Sequence, residues 1–177
     1  MNSQQVILVD ENDNAIGSIE KMEAHRRGLR HRAFSIFIFN SRGEMLLQQR
    51  AMNKYHSAGL WSNTCCSHPY PGEETIFAAL RRLYEEMGFQ TPLQKIFDFI
   101  YEAPFENGLT ENEFDHVFAG EYEGEIAINP EEARDYTFQS MKEIKQELEK
   151  SPEKYTEWFK IAFPKIESWW KERYGQL

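Results

Sequence analysis

Residues 73–88 read Glu-Glu-Thr-Ile-Phe-Ala-Ala-Leu-Arg-Arg-Leu-Tyr-Glu-Glu-Met-Gly, and this stretch decides the fold. Its larger apolar residues share the three- and four-residue spacing of one helical face: Ile76, Leu80, Leu83 and Met87. Gly88 follows directly and is the residue type that most often ends a helix. The pattern predicts a helix over residues 73–87.

Segments on both sides of this helix are typical of strands. Two hairpins are predicted before it, residues 6–9 with 16–19 and residues 33–39 with 45–49, and a third pairs 96–105 with 113–122. Two more helices follow, residues 141–149 and 155–174, the second introduced by Ser151 as a cap and Pro152 at its first position. A helix inserted among strands predicts an α/β sandwich with a mixed β-sheet.

Length, composition and charge limit the possible functions. A chain of 177 residues with 41% hydrophobic residues suits one globular domain over residues 1–177, with an N-terminal hairpin and C-terminal helices. A formal net charge of -9 argues against nucleic acid and anionic membrane as partners. Residues 1–5 lack a signal-peptide pattern and no long apolar run occurs, so we expect a cytoplasmic protein. We expect a monomer because no dimerisation heptad is evident.

Five residues could bind one divalent metal ion: His25, His31, His68, Glu111 and Glu113. In a strand Glu111 and Glu113 point to the same face, so they could share an ion, whereas His116 points to the opposite face. We place His116 and His56 outside the site. The alternative is that all five are ordinary surface residues, and spacing alone favours this because the histidines lie far apart in sequence.

A cysteine pair precedes one of these histidines. If residues 63–69 are extended, Cys65 and Cys66 face opposite ways, and matching parity with His68 selects Cys66 for a pocket. A thiol so placed could transfer protons, with Cys65 structural. The alternative is that Cys66, too, is a buried small hydrophobic residue. Adjacent cysteines do not support a disulfide framework.

Opposite charges lie four residues apart at the end of the central helix, Arg81 with Glu85 and Arg82 with Glu86. These pairs could simply support an exposed helix. They could also bind a diphosphate and its divalent counterion together. Lys21, Arg50 and Lys54 could add phosphate contacts, or they could be solvated surface charges.

Together these segments resemble type 1 isopentenyl-diphosphate isomerases from about residue 21 to the helix that contains Trp158. The pieces that carry the resemblance are Lys21 with His25, residues 31–35, Arg50 with Lys54, residues 61–63 and 66–69, the central helix, Tyr101, residues 111–113, and Trp158. The helix also resembles a degenerate Nudix box in which Arg82 replaces a metal-binding carboxylate. The resemblance implies a Nudix-type α/β/α sandwich, and Arg82 argues against pyrophosphohydrolase activity.

The resemblance also implies a role for each site residue. The five candidate ligands would hold one Zn²⁺ or Mn²⁺. Glu86, the Cys66 carbonyl and an isoprenoid diphosphate substrate would bind Mg²⁺. Four cations would surround the phosphate oxygens: Lys21, Arg50, Lys54 and Arg82.

Cys66 and Glu113 would act as acid and base on opposite faces of the substrate, with Tyr101 tuning the proton on Glu113. Trp158 would place its indole face against a tertiary carbocation. Trp61 could join the pocket wall or pack as a core aromatic residue.

Besides the isomerase activity that the resemblance implies, two other functions are possible. A Nudix hydrolase would release phosphate or a nucleoside monophosphate. A non-catalytic module would bind metal or isoprenoid diphosphate without turnover.

Overall fold

The computed structural model describes residues 4–175. Residues 1–3 and 176–177, which belong to the predicted domain, lie outside the described residues. The first half contains β1 (Gln5–Val9), β2 (Ala15–Glu20), α1 (Lys21–Arg27), β3 (His31–Phe39), β4 (Met45–Arg50), β5 (Trp61–Ser62), β6 (Cys65–Ser67) and α2 (Thr75–Met87). The second half contains β7 (Gln94–Pro104), β8 (Thr110–Glu121), β9 (Ala133–Gln139), α3 (Met141–Lys150), a short 3-10 helix (Pro152–Lys154) and α4 (Glu157–Tyr174).

A mixed sheet lies between two helical layers, which confirms the predicted fold class. Strand β3 pairs in parallel with β8 along its whole length, and the other pairings are antiparallel. Side chains of β3 alternate between two cores: Ile36 and Ile38 pack with α2, whereas Phe37 and Phe39 pack with α3 and α4. This alternation gives a strand buried on both faces, as strands covered by helices on each side require.

The predicted hairpin of β3 and β4 is largely wrong. The two strands pair at one position only, Phe39 with Met45, because β6 takes the edge of β3 at residues 34–36. The Thr64 hydroxyl lies in the resulting gap, where it accepts a hydrogen bond from the Ile38 backbone N–H at 3.0 Å and donates one to the Leu46 carbonyl at 2.7 Å. One side chain therefore links the two separated strands.

The start of the last helix also differs from the prediction. Pro152 begins the 3-10 helix, and α4 starts only at Glu157. Between them Tyr155 and Thr156 are extended, because Tyr155 bridges to Trp61 and the Thr156 N–H donates to the Trp61 carbonyl at 3.0 Å. Because Tyr155 and Thr156 pair with β5, the helix starts at Glu157 and not at residue 155 as predicted.

Helix α1 and strand β9 were not predicted. Helix α1 has seven residues, and its N-terminal cap is Glu20, whose carboxylate accepts hydrogen bonds from the Met22 and Glu23 N–H groups. Glu is not among the common capping residues, so the pattern gives little warning. Strand β9 carries exposed Arg134 and Asp135 and reaches the sheet only through β4. Within residues 4–175, none of the helices is both long and apolar enough to span a bilayer.

Gly88 ends α2 in a left-handed backbone conformation, and there is no room for a Cβ atom at this position. Its φ is +75°, and a Cβ added there would lie 2.2 Å from the Ala127 carbonyl oxygen. Gly72 has a similar φ of +81°, but a Cβ added there would meet nothing within 4 Å. An alanine at either position would have a strained backbone, but only at Gly88 would its Cβ also overlap with another residue.

We predict that Gly72→Ala lowers the free energy of unfolding by about 1 kcal/mol, the usual cost of a left-handed conformation. Gly88→Ala should lose about 1–3 kcal/mol more, because overlap with the backbone is added. Urea unfolding of both variants tests this. Equal losses would contradict the proposed overlap at Ala127.

Candidate metal centre and active site

A cavity of about 160 Å³ opens between residues of α2 and residues of α4, which pack on opposite faces of the sheet. Its wall includes Gln48 and Arg50 of β4, and Cys66 and Ser67 of β6, the strand that pairs with β3 where β4 does not. Its lining brings together most of the predicted site residues: Lys21, Arg50, Lys54, Cys66, His68, Arg82, Glu86, Tyr101, Glu111, Glu113 and Trp158. His25 and His31 are fully buried beside it.

Two histidines have their ring tautomers set by the backbone. His25 Nδ1 lies 2.6 Å from the Lys21 carbonyl oxygen, and His31 Nδ1 lies 2.8 Å from the Leu29 carbonyl oxygen. A carbonyl only accepts, so each Nδ1 carries a proton, and in the neutral ring each Nε2 has a free lone pair. Both Nε2 atoms are buried without a hydrogen-bond partner. Buried lone pairs of this kind suit a metal ion, and the backbone contacts are typical of metal-binding histidines.

The carboxylates come from β8, where alternation puts Glu111 and Glu113 on one face. Glu113 Oε1 is 2.9 Å from His68 Nε2 and 3.4 Å from His31 Nε2, and Glu111 Oε1 is 3.9 Å from His25 Nε2. Burial alone would raise the pKa of Glu113, but the neighbouring His31 and His68 outweigh it and hold that pKa well below its usual range. Glu113 is therefore a carboxylate surrounded by imidazoles.

The Tyr101 hydroxyl joins the two carboxylates. Its oxygen is 2.9 Å from Glu111 Oε2 and 2.6 Å from Glu113 Oε2. Burial and then the charge of Glu111 raise the pKa of Tyr101 well above its ordinary value, so the phenol keeps its proton. A phenol has one proton to donate, so it can serve only one carboxylate at a time. The negative charge of the carboxylate that receives no phenol proton would be neutralised by a bound cation.

The residues present fit a divalent metal ion. One donor atom from each of His25, His31, His68 and Glu113 lies within 4.8 Å of the others. Burial lowers the pKa of His68 to about 3, which keeps its imidazole neutral, as a metal ligand must be. Neutral imidazoles with carboxylates suit zinc or a first-row transition metal.

His56 is expected outside the site, but it lines the cavity. It is buried, stacks on Phe105 at a ring distance of 4.5 Å, and has its Nε2 3.2 Å from Glu111 Oε1. The donor atoms of His25, His56 and Glu111 form a second group within 4.8 Å. The only signal in the sequence was its position two residues after Lys54.

His116 lies outside the cluster, as strand alternation predicts. Its Nε2 is 2.9 Å from Asp13 Oδ2, near the first turn of the chain. It is buried like the cluster histidines but contacts none of the candidate ligands within hydrogen-bonding distance.

The two cysteines face opposite ways. Cys65 is buried in the core beneath α2, whereas Cys66 lines the cavity. Cys66 Sγ lies 3.0 Å from Asn63 Oδ1 and 3.4 Å from the Ser35 hydroxyl, which itself donates to Asp115 at 2.7 Å. Burial and then the charge of Asp115 raise the pKa of Cys66 well above its ordinary value. The Cys66 side chain is therefore a protonated thiol.

The predicted cations converge on the same cavity. All four line it, and burial followed by the charges of Lys54 and Arg82 lowers the pKa of Lys21. Arg82 Nη2 lies 2.6 Å from Glu86 Oε1 and 3.2 Å from Glu132 Oε1. Glu132 also pairs with Lys54 and was missed, because it follows an irregular segment without periodicity.

The tryptophans have different surroundings. Trp158 lines the cavity, and the Arg50 guanidinium carbon lies 5.0 Å from the centre of its ring. The indole therefore already contacts a cation. Trp61 packs against the core beside α4 and does not line this cavity, which favours its interpretation as a core aromatic residue.

Comparison with known proteins relates this geometry to a family. The NUDIX domain model matches residues 29–159. An isopentenyl-diphosphate Delta-isomerase from Pectobacterium atrosepticum is 52% identical, over 94% of this chain and 93% of that protein. One from Serratia proteamaculans is 48% identical, over 98% of this chain and 97% of that protein.

Solved structures support the same fold. DR0079 from Deinococcus radiodurans has a TM-score of 0.70 at 18% identity, covering 84% of this chain and 90% of that chain. The MutT protein from Methanosarcina mazei Go1 has a TM-score of 0.65 at 20% identity, covering 78% of this chain and 94% of that chain. At these identities the similarity shows the fold alone.

The sandwich, the domain match and the structural neighbours define the class, a NUDIX-domain protein with a buried set of candidate metal ligands. Identity near one half along almost the full length of several relatives then decides the family. The chain belongs to the isopentenyl-diphosphate Delta-isomerases.

We predict that a divalent metal ion stabilises the folded protein through this cluster. Zn²⁺ or Mn²⁺ at a hundred times its Kd should raise the free energy of unfolding by about 2.7 kcal/mol over the chelator-treated protein. His31→Gln should lose most of that gain, because it removes a buried metal-facing nitrogen. The measurement is urea unfolding with and without metal, together with elemental analysis.

His116→Gln is the matched control, since His116 is also buried but bonds Asp13 instead of facing the cluster. It should retain the metal-dependent gain whatever its own stability. Equal gains in both variants would mean that the metal binds elsewhere.

Proposed function

We propose that this chain shares the activity of its relatives and interconverts isopentenyl diphosphate and dimethylallyl diphosphate. The observation that carries the proposal is the convergence of a thiol, a carboxylate and a group of cations on one cavity. The cations suit a diphosphate, and the thiol and carboxylate suit proton transfer at carbon. Cys66 and Glu113 are the proposed acid and base.

The position of the two groups follows from the sheet. Ser35 pairs with Cys66 on β6, and His31 pairs with Glu113 on β8. Residues 31 and 35 of β3 point to the same face, so Cys66 and Glu113 approach the cavity on one face from strands on either side of β3. A hydrocarbon between them would have a proton-transfer group on each side.

The proposed reaction consists of two proton transfers at carbon. One group of the pair gives a proton to the terminal alkene carbon, forming a C–H bond and a tertiary cation. The other group takes a proton from the neighbouring methylene, and the electrons of that C–H bond form the new double bond. Protons balance, and the two groups exchange roles when the direction reverses.

Other residues of the chain position these two groups. Tyr101 holds Glu113 through a 2.6 Å contact, and Asn63 holds the Cys66 thiol at 3.0 Å. Trp158 contributes an indole wall, whose interaction with a cation is worth roughly 0.5–2 kcal/mol. These contacts favour a dry, aligned site, which an unactivated alkene needs in order to accept a proton.

Metal ions have two proposed places. When bound, they supply positive charge that stabilises Glu113 as a carboxylate and neutralises the diphosphate. His25, His31, His68, Glu111 and Glu113 would hold Mn²⁺ or Zn²⁺, and Glu86, with the Cys66 carbonyl, would hold the Mg²⁺ that accompanies the substrate. Lys21, Arg50, Lys54 and Arg82 would surround the phosphate oxygens.

Contacts of Arg82 argue against hydrolysis as the function. Arg82 occupies the position at which a Nudix hydrolase has a metal-binding carboxylate, and its guanidinium lies 2.7 Å from Glu85 and 2.6 Å from Glu86. The end of α2 therefore offers one metal ligand fewer, which weakens metal-activated attack by water. We therefore rank a Nudix hydrolase second, and a non-catalytic binding module third.

We also propose that the enzyme acts as a cytoplasmic monomer on its small-molecule substrate. The net charge of -9 supports independence from nucleic acid and anionic membranes.

NMR of the purified protein with isopentenyl diphosphate and Mg²⁺ in deuterated water tests the reaction. We expect dimethylallyl diphosphate to form, deuterium to enter the hydrocarbon, and phosphate release to be absent. Phosphate or diphosphate release would support the hydrolase. Unlabelled substrate with confirmed metal occupancy would support the binding module.

We predict that Cys66→Ala reduces turnover by about 10²–10⁴-fold, the usual contribution of a general acid or base, while diphosphate binding remains close to wild type. Cys65→Ala should largely spare turnover because Cys65 is buried on the opposite face. Steady-state kinetics and titration calorimetry of both variants provide the measurement. Small, equal effects on turnover would refute the proton-transfer role of Cys66.

A further inference from the structure

Two carboxylates lie among the four cations of the cavity, and they are held differently. Glu86 is buried, and its two oxygens bond separate partners, Gln48 at 2.9 Å and Arg82 at 2.6 Å. The Glu132 side chain has one-fifth of its surface exposed and contacts only cations, Lys54 and Arg82. Glu86 is therefore fixed by a neutral partner as well, whereas Glu132 is not.

The backbone of Glu132 is anchored independently of its side chain. Its carbonyl accepts the Ala51 N–H at 3.0 Å, and its N–H donates to the Asn129 carbonyl at 2.9 Å. Burial would raise the pKa of Glu132, but Lys54 and Arg82 outweigh it and lower that pKa. A charged side chain on a fixed backbone can thus leave its partners without disturbing the fold.

Both partners of Glu132 are residues assigned to the diphosphate. The cavity is lined by these four cations and by four carboxylates, of which Glu111 and Glu113 belong to the metal-ligand cluster and Glu86 and Glu132 lie among the cations. The Nε groups of Arg50 and Arg82 are buried without a hydrogen-bond acceptor, so the donors are only partly used. Such unpaired donors suit an acceptor that comes from outside the protein.

We propose that Glu132 excludes weakly bound anions from this site by holding the place of a phosphate oxygen until a diphosphate displaces it. The inference rests on the proposed function, in which these cations bind the substrate diphosphate. An incoming anion must then compete with a carboxylate for Lys54 and Arg82. A diphosphate, with more charge and more oxygens, does so far better than a single phosphate, so the free site rejects orthophosphate.

The test is titration calorimetry of inorganic diphosphate and of orthophosphate, each at a fixed Mg²⁺ concentration, with the wild-type protein and Glu132→Gln. The substitution keeps the side-chain shape and removes the competing charge. We expect the Kd of each anion to fall by about tenfold, because like charges within a few ångströms interact strongly in a partly buried site. Orthophosphate, which the wild-type protein should not bind measurably, should therefore bind detectably to Glu132→Gln.

Glu85→Gln is the matched control. Glu85 contacts Arg82 Nη1 at 2.7 Å and has the same charge, but it is exposed and does not line the cavity. Its Kd values should stay within about twofold of wild type, since exposed charges are screened. Equal tightening in Glu85→Gln would overturn the inference by reducing the effect to net charge.

Glu132→Asp provides a second variant with the charge retained but drawn back from the cations, and we expect intermediate Kd values. Unchanged or weaker diphosphate binding in folded Glu132→Gln would overturn the role of Glu132 while leaving the diphosphate site intact. Absence of diphosphate binding to the wild-type protein would instead overturn the proposed site, and the inference with it. Circular dichroism establishes that each variant is folded.

Discussion

The two edges of β3 constrain the rest of the structure. A strand can offer hydrogen bonds along two edges only, and β8 occupies one of them from end to end. The other edge is divided among three partners: β1 at residue 31, β6 at residues 34–36 and β4 at residue 39. Because β6 takes the middle portion, β4 pairs with β3 at one residue only and pairs with β5 and β9 along the rest of its length.

One cavity is lined by residues from both helical layers. Helix α2 contributes Arg82 and Glu86, and α4 contributes Trp158 from the other face of the sheet. Thr64 bonds to both separated strands, which satisfies backbone groups that would otherwise be buried without partners. Arg82 and Glu86 therefore come from one helical layer, and Trp158 comes from the other.

Local patterns in the sequence were sufficient for part of this structure. Helix α2 and Gly88 follow from apolar spacing and a preferred terminal residue, and the shared face of Glu111 and Glu113 follows from strand alternation. Long-range pairing is a different matter. The contact of His31 with Glu113 depends on parallel pairing between segments about 80 residues apart, which no local pattern records. His56 and Glu132 lie in irregular segments, where periodicity assigns no face to a side chain.

Lys21 belongs to both halves of the proposed site through different atoms. Its ammonium lines the cavity near the other cations, whereas its backbone carbonyl fixes the His25 tautomer. A change of side chain at this position removes only the ammonium, because every amino acid supplies the same carbonyl. Mutation can therefore alter the anion contact at residue 21 without removing the group that orients the imidazole. The side chain at residue 21 can therefore vary, and with it the affinity for an anion, while the orientation of the His25 imidazole stays the same.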